Sequence, residues 1–163
     1  YTGVQKVLQN LLDEGIHIRD MRSIIESLSE NAARMQDAEM LTAQVRVVLG
    51  RSIVQQLYPS GNEMQVMSLD PQLERILLQA IAGGGESASI EPGLADTLLR
   101  ETAAAAQRQE ELGLPAVLLV PGNLRPLLSR FLRRSIPQLK VLAHGEVPEN
   151  RLIKLTSIIG GRS

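Results

Sequence analysis

A helical subdomain followed by a small α/β subdomain with a βαβ unit and about four strands is the α+β or α/β fold class that this sequence predicts. Three observations carry it. Before Pro59, apolar residues recur at helical spacing, with no run long enough for a buried strand. After Asn62, short apolar runs alternate with helical stretches. Within that second part, the apolar run Ala116 to Val120 is broken by Pro121-Gly122, followed by a helical stretch, and resumed at Lys140 to Ala143. That order predicts two adjacent parallel strands joined by a right-handed crossover helix. The subdomains are accordingly residues 1–61 and 62–163.

Val4, Val7, Leu8, Leu11 and Leu12 set the first helix, and Gly15 suits the position just past its end. Ile16-His17-Ile18 reads as a brief extended joint. Met21, Ile24, Ile25 and Leu28 form the stripe of a second helix, with Asp20 at its start, where an acid suits the helix dipole. Asp37 is the expected N-cap of a third helix, whose apolar face is Leu41, Val45, Val48, Leu49, Ile53 and Leu57. Pro59-Ser60-Gly61-Asn62 stops it. Met64 to Leu69 reads as a strand. Asp70-Pro71 then opens a helix in the favoured order, a capping Asp before a Pro. Leu73, Ile76, Leu77, Ala80 and Ile81 are its buried stripe, and residues 83–87 are a loop. Pro92 opens a helix that runs through Ala103 to Ala106 and ends near Gly113. In the βαβ unit Asn123 is the expected cap, and Leu124, Leu127, Leu128, Phe131 and Leu132 form the helix stripe. Gly145 to Asn150 is a turn-rich connection to a last strand, Leu152 to Ile159.

The hydrophobic fraction, 44% of 163 residues, is ample for a core. A net charge of −1 gives no global attraction to nucleic acid or to an anionic membrane. The aromatic residues are Tyr1, Tyr58 and Phe131, too few for a base-stacking surface. The absence of cysteine excludes disulfides and thiol chemistry within this chain. No apolar run approaches the roughly 20 residues that span a bilayer. A chain that opens on Tyr1 reads as a piece of a longer protein.

The candidate chemistry is thin. Pro121-Gly122-Asn123 joins a strand end to a helix start, where backbone amides can hold a phosphate, with Arg125 assisting. This is the basis of the alternative reading, a small α/β nucleotide- or phosphate-binding enzyme domain. The turn lacks both dinucleotide glycine spacing and the Lys-Ser/Thr of a P-loop, so an ordinary βα turn is the better reading. His17 and His144 are the two histidines, and neither has metal-ligand spacing. His144 with Glu146 nearby is a conceivable general base, although a lone strand-end histidine is more often structural. No catalytic residue, cofactor or metal ligand is therefore assigned. Arg125, Arg130, Arg133 and Arg134 make one helix basic, which suits either a solvated face or the docking of an acidic partner. Arg19, Asp20, Arg22 and Glu26 crowd the second helix, and Arg46 and Arg51 the third. A unit of ~60 residues buries only about 60% of its unfolded surface and is marginal alone. Mixed charges on such a unit suit either a solvated face or a subunit contact.

Five collinear stretches resemble the large export-gate family of bacterial flagellar assembly: EGIHIRDMRSIIE from Glu14, LTAQVRVVLGRSIVQQL from Leu41, LDPQLERILL from Leu69, PAVLLVPGNLRPLLSRFLRRSIPQLKVLAHGEVP from Pro115, and IKLTSIIG from Ile153. A related gate serves the virulence injectisome, and the wording here is more similar to the flagellar branch. The resemblance implies a parent in the bacterial inner membrane, with a cytoplasmic region of four subdomains. Residues 1–61 resemble the third of these and residues 62–163 the fourth. It also implies a nonameric ring whose contacts come from the third subdomain. Arg19, Asp20, Arg22, Arg46 and Arg51 are the candidate contact residues. The implied partners are chaperone–substrate complexes and the export ATPase complex, reached through the parent, with no nucleic acid. The membrane is reached only through an N-terminal domain outside this chain.

Overall fold

The computed structural model describes residues 2–17, 20–31, 38–84 and 90–160. The chain divides into two compact units, one of residues 1–61 with 145–150, the other of residues 62–144 with 151–163. The sequence alone assigns residues 145–150 to the second subdomain. They group with the first unit, where Glu146 pairs with Arg46.

The first unit is helical: α1 (Thr2–Asp13), α2 (Met21–Asn31), α3 (Ala38–Val48) and α4 (Gly50–Leu57). Its α1 ends as Gly15 predicts. The glycine takes φ 73°, its amide bonds the Leu12 carbonyl, and the Ile16 amide reaches back to the Leu11 carbonyl. Asp20 caps α2 by accepting the Ser23 amide at 3.1 Å and the Ser23 hydroxyl at 2.6 Å. Packing of α3 against α1 and α2 builds the core from Val7, Leu11, Ile24, Leu28, Leu41, Val45 and Leu49. The single third helix of the sequence reading is two helices separated by a turn at Leu49. The helical hydrogen bonds still run through the break, from Leu49 to Val45 and from Ile53 to Leu49. Leu12, Met21, Ile25 and Val48, expected in buried stripes, are exposed. The predicted cap Asp37 and the joint residue Ile18 lie outside the described residues, as do positions 85–87 of the glycine loop.

The second unit is a four-stranded, wholly parallel sheet with order β3-β2-β1-β4. Its elements are β1 (Glu63–Leu69), α5 (Pro71–Gly84), α6 (Pro92–Glu111), β2 (Val117–Val120), α7 (Arg125–Arg133), β3 (Lys140–Ala143) and β4 (Leu152–Ile159). Here α5 extends two residues into the expected glycine loop, to Gly84. As predicted, β2 and β3 are parallel neighbours, with Val117 opposite Lys140 and Val120 opposite Ala143. Asp70 caps α5 through the Gln72 amide at 3.0 Å. The core between helices and sheet joins Met67, Leu77, Leu98, Leu118, Leu124, Leu128, Leu132 and Val141. Asn123 is not the cap of α7. The turn continues one residue further, and Leu124 precedes the helix without a side-chain cap.

The edge strand β4 is exposed along most of its length, and its register with β1 shifts between Val66 and Met67. The shift leaves Thr156 as the extra residue of a bulge. Thr156 Oγ1 lies 2.7 Å from Gln109 Oε1 and 3.1 Å from the Val66 carbonyl, while Gln109 Nε2 donates to the Gln65 carbonyl at 2.9 Å. A buried glutamine of α6 thus ties the bulge to β1, bonding the Gln65 carbonyl and meeting the Thr156 hydroxyl.

Candidate functional site

The most concentrated chemistry among the described residues is a buried ion pair in the helical unit. On α3, Arg46 follows Thr42 by four residues and precedes Leu49 by three, so helical geometry turns it to the buried face. It is 2% exposed. Its Nε donates to Glu146 Oε2 at 2.7 Å and its Nη2 to Glu146 Oε1 at 3.0 Å, a bidentate pair between residues 100 apart in sequence. Glu14 Oε2 stands 3.6 Å from Nη1 as a second, partly exposed carboxylate. Burial alone would lower the Arg46 pKa. The hydrogen bonds and charge of Glu146, with the charge of Glu14, override it and hold the guanidinium above its usual value. Nearby, Thr42 Oγ1 donates to the Ala38 carbonyl at 2.7 Å and accepts from Asn10 Nδ2 at 3.1 Å.

The segment carrying Glu146 lies so close that glycine is required at the start of α4. A Cβ added at Gly50 would stand 2.2 Å from the Glu146 carbonyl oxygen, which is backbone and cannot swing away. Gly50→Ala is therefore expected to cost ~1–3 kcal/mol as an overpacked site. Urea unfolding of the variant against Gly93→Ala checks this, because the close neighbours at Gly93 belong to the Glu91 side chain.

Arg46 stays charged, and both oxygens of the buried Glu146 carboxylate face its guanidinium. The arrangement is a clamp between α3 and the segment that carries Glu146. It also removes the partner proposed for His144, which is exposed while the neighbouring Glu146 side chain is buried on Arg46.

The five candidate contact residues separate. Arg46 leaves the surface altogether, because its charge is spent inside its own unit. Arg19 lies outside the described residues. Asp20, Arg22 and Arg51 are exposed. The Ser23 hydroxyl, then its amide, hold Asp20 below the usual carboxylate value. Arg22 pairs with Glu26 at 3.6 Å on the open face of α2.

On α7, Arg125 is buried, so it is available neither to a docking partner nor to a phosphate at the Gly122 turn. Arg130 and Arg134 are exposed and Arg133 is half-buried. At Gly122 an added Cβ would meet only the Ala143 Cβ, at 3.9 Å, so no close approach demands glycine there. Among the described residues no group of three or more His, Asp or Glu is placed to hold a metal. Sequence reasoning missed Glu14 and Gln109 as partners in polar contacts, and Gly50 as a position where the backbone of the Glu146 segment leaves no room for a Cβ. It noticed Glu146 only as a neighbour of His144.

The two units together have the fold of the type III export-gate C-terminal domains. The Shigella flexneri MxiA protein superposes with a TM-score of 0.84 at 26% identity, covering 96% of this chain and 50% of that one. The nonameric SctV-C of EPEC superposes at 0.73 with 25% identity, covering 94% and 46%. The chain belongs to the FHIPEP family, whose model matches residues 1–151. Among curated proteins, the flagellar biosynthesis protein FlhA of Escherichia coli K12 is 58% identical over 161 residues, which is 99% of this chain and 23% of that protein. The chain thus spans under a quarter of this relative and about half of the solved chains.

Proposed function

We propose that this chain is a non-catalytic assembly and docking part of the cytoplasmic region of a flagellar type III protein-export gate. The observation that carries this reading is the 58% identity to FlhA across 99% of the chain. On this reading the helical unit is the third cytoplasmic subdomain and supplies ring contacts, and the α/β unit is the fourth. The parent sits in the bacterial inner membrane through segments outside this chain, since no helix among the described residues is long and apolar enough to cross one. Chaperone–substrate complexes and the export ATPase complex meet the ring through the parent. The nonameric state of the SctV-C relative supports a ring for this chain. The clamp at Arg46 gives the helical unit a fixed shape to present, and the exposed Arg130 and Arg134 are the docking candidates that remain on α7.

The test is charge reversal in the full-length protein, read by ring formation and by motility. Arg46→Glu is unsuitable because it would place a third carboxylate beside Glu146 and Glu14. Arg22→Glu and Arg51→Glu leave the fold intact and are expected to weaken assembly. An exposed pair contributes only ~0–1 kcal/mol, but truncating one member of a pair desolvated in an interface costs ~2–5 kcal/mol. Arg134→Glu should leave the ring intact. Rings that survive both first-unit reversals would remove the charged contact from the reading. Loss of export with Arg134→Glu alone would make α7 the working surface.

A further inference from the structure

The strands β3 and β4 are the two edges of the sheet, and the chain between them must run from one edge to the other. Register fixes how far it has to go. Ala143 pairs with Val120, next after Leu119, which pairs with Ser68, so Ala143 stands level with Leu69 on β1. Leu152, where β4 begins, pairs with Glu63. Along the strands the gap is six residues, ~20 Å, and across the sheet it is three strand spacings, ~14 Å, a diagonal of ~25 Å. The nine steps of chain from Ala143 to Leu152 reach ~30 Å at full extension, and the short 3-10 helix His144–Glu146 brings that down to about 27 Å. The connection has almost no slack.

This taut connection is gripped in its middle. Residues 145–150 group with the helical unit, where Arg46 holds the Glu146 carboxylate at 2.7 and 3.0 Å and the Glu146 carbonyl leaves no room for a Cβ at Gly50. Beyond the grip, β4 is held unevenly. Its second half is anchored by Thr156 on Gln109, by the Ile159 carbonyl accepting the Asp70 amide at 2.8 Å, and by the Gly160 amide donating to Glu101 Oε1 at 3.1 Å. Its first half, Leu152 to Leu155, is exposed at every residue. Strand ends with few buried contacts are the first parts of a sheet to open. A frayed end gains little freedom, however, when a short taut segment ties it to a fixed point. We propose that residues 145–150 are a strap. Anchored on Arg46, it keeps the first half of β4 seated on β1, so the clamp inside the helical unit governs the exposed edge of the α/β unit through the chain alone.

Hydrogen exchange at single amides of the full-length protein tests the strap. The Leu152 amide bonds the Asn62 carbonyl at 2.9 Å, and the Lys154 amide, two residues on, faces β1 in the same way. Two changes are compared. Glu146→Ala removes the anchor. Insertion of two glycines between Asn150 and Arg151 gives the strap slack and leaves the anchor in place. Each alone is expected to speed exchange at Leu152 and Lys154 about tenfold or more, with Ser157 and Ile159 near their parent rates. Together they should do no more than either one, because both undo the same tether. Effects that multiply would mean that anchor and connection act separately, and would overturn the proposal. An insertion that leaves Leu152 and Lys154 at their parent rates would overturn it as well, whatever Glu146→Ala does to the helical unit.

Discussion

Glu146→Ala is expected to destabilise the helical unit by ~3–5 kcal/mol, because it strands a buried guanidinium. Arg46 would lose its hydrogen bonds to Glu146 at 2.7 and 3.0 Å. The Glu14 carboxylate is 3.6 Å away and partly exposed, so it recovers only part of the loss. The comparison that isolates the cause is the double variant Arg46→Met with Glu146→Leu. Removing both charges restores an apolar site of similar volume, which is often neutral or stabilising. Denaturant unfolding followed by hydrogen exchange in α3 and α4 should show a large loss for the single variant and much of it recovered in the double. A single variant as stable as the parent protein would mean that the pair contributes no more than a surface ion pair does.

The clamp was half legible. Arg46 precedes Leu49 by three residues and Ile53 by seven, and Arg125 precedes Leu128 by three and Leu132 by seven. That spacing puts both arginines on buried stripes, and both are buried. Reading them as surface charge gave residue type priority over position. What no periodicity contains is the partner, since Glu146 lies 100 residues away and reaches Arg46 only through the tertiary fold. Residues 145–150, which carry Glu146, likewise group with the helical unit and not with their neighbours in sequence. Local signals did better. The Asp70-Pro71 cap, the Gly15 helix end and the β2–α7–β3 crossover depend on residues close in sequence, and each is in place. Stripe width was the opposite weakness. Met21, Ile25 and Val48 share a helix side with core residues in sequence, but only the packing of neighbouring helices decides how much of that side is covered.

Leu128→Ala is expected to cost the α/β unit ~2–5 kcal/mol, the loss of buried methylenes plus the cavity they leave. Leu128 is fully buried on α7 and belongs to the same core cluster as Leu118 and Val120 of β2 and Val141 of β3. Those strands are short, and β2 is buried at every position. They offer little backbone pairing by themselves and depend on what covers them. The control is Leu155→Ala on the exposed edge strand β4. A surface substitution of that kind is usually within about ±0.5 kcal/mol. Because the chain has two units, a single melting temperature does not separate their contributions. Hydrogen exchange at the amides of β2 and β3 assigns the loss to the right unit. Protection there should fall steeply for Leu128→Ala and stay near the parent value for Leu155→Ala. Equal protection in both variants would mean that α7 does not hold the sheet, and that β2 and β3 owe their pairing to contacts other than the helix that joins them.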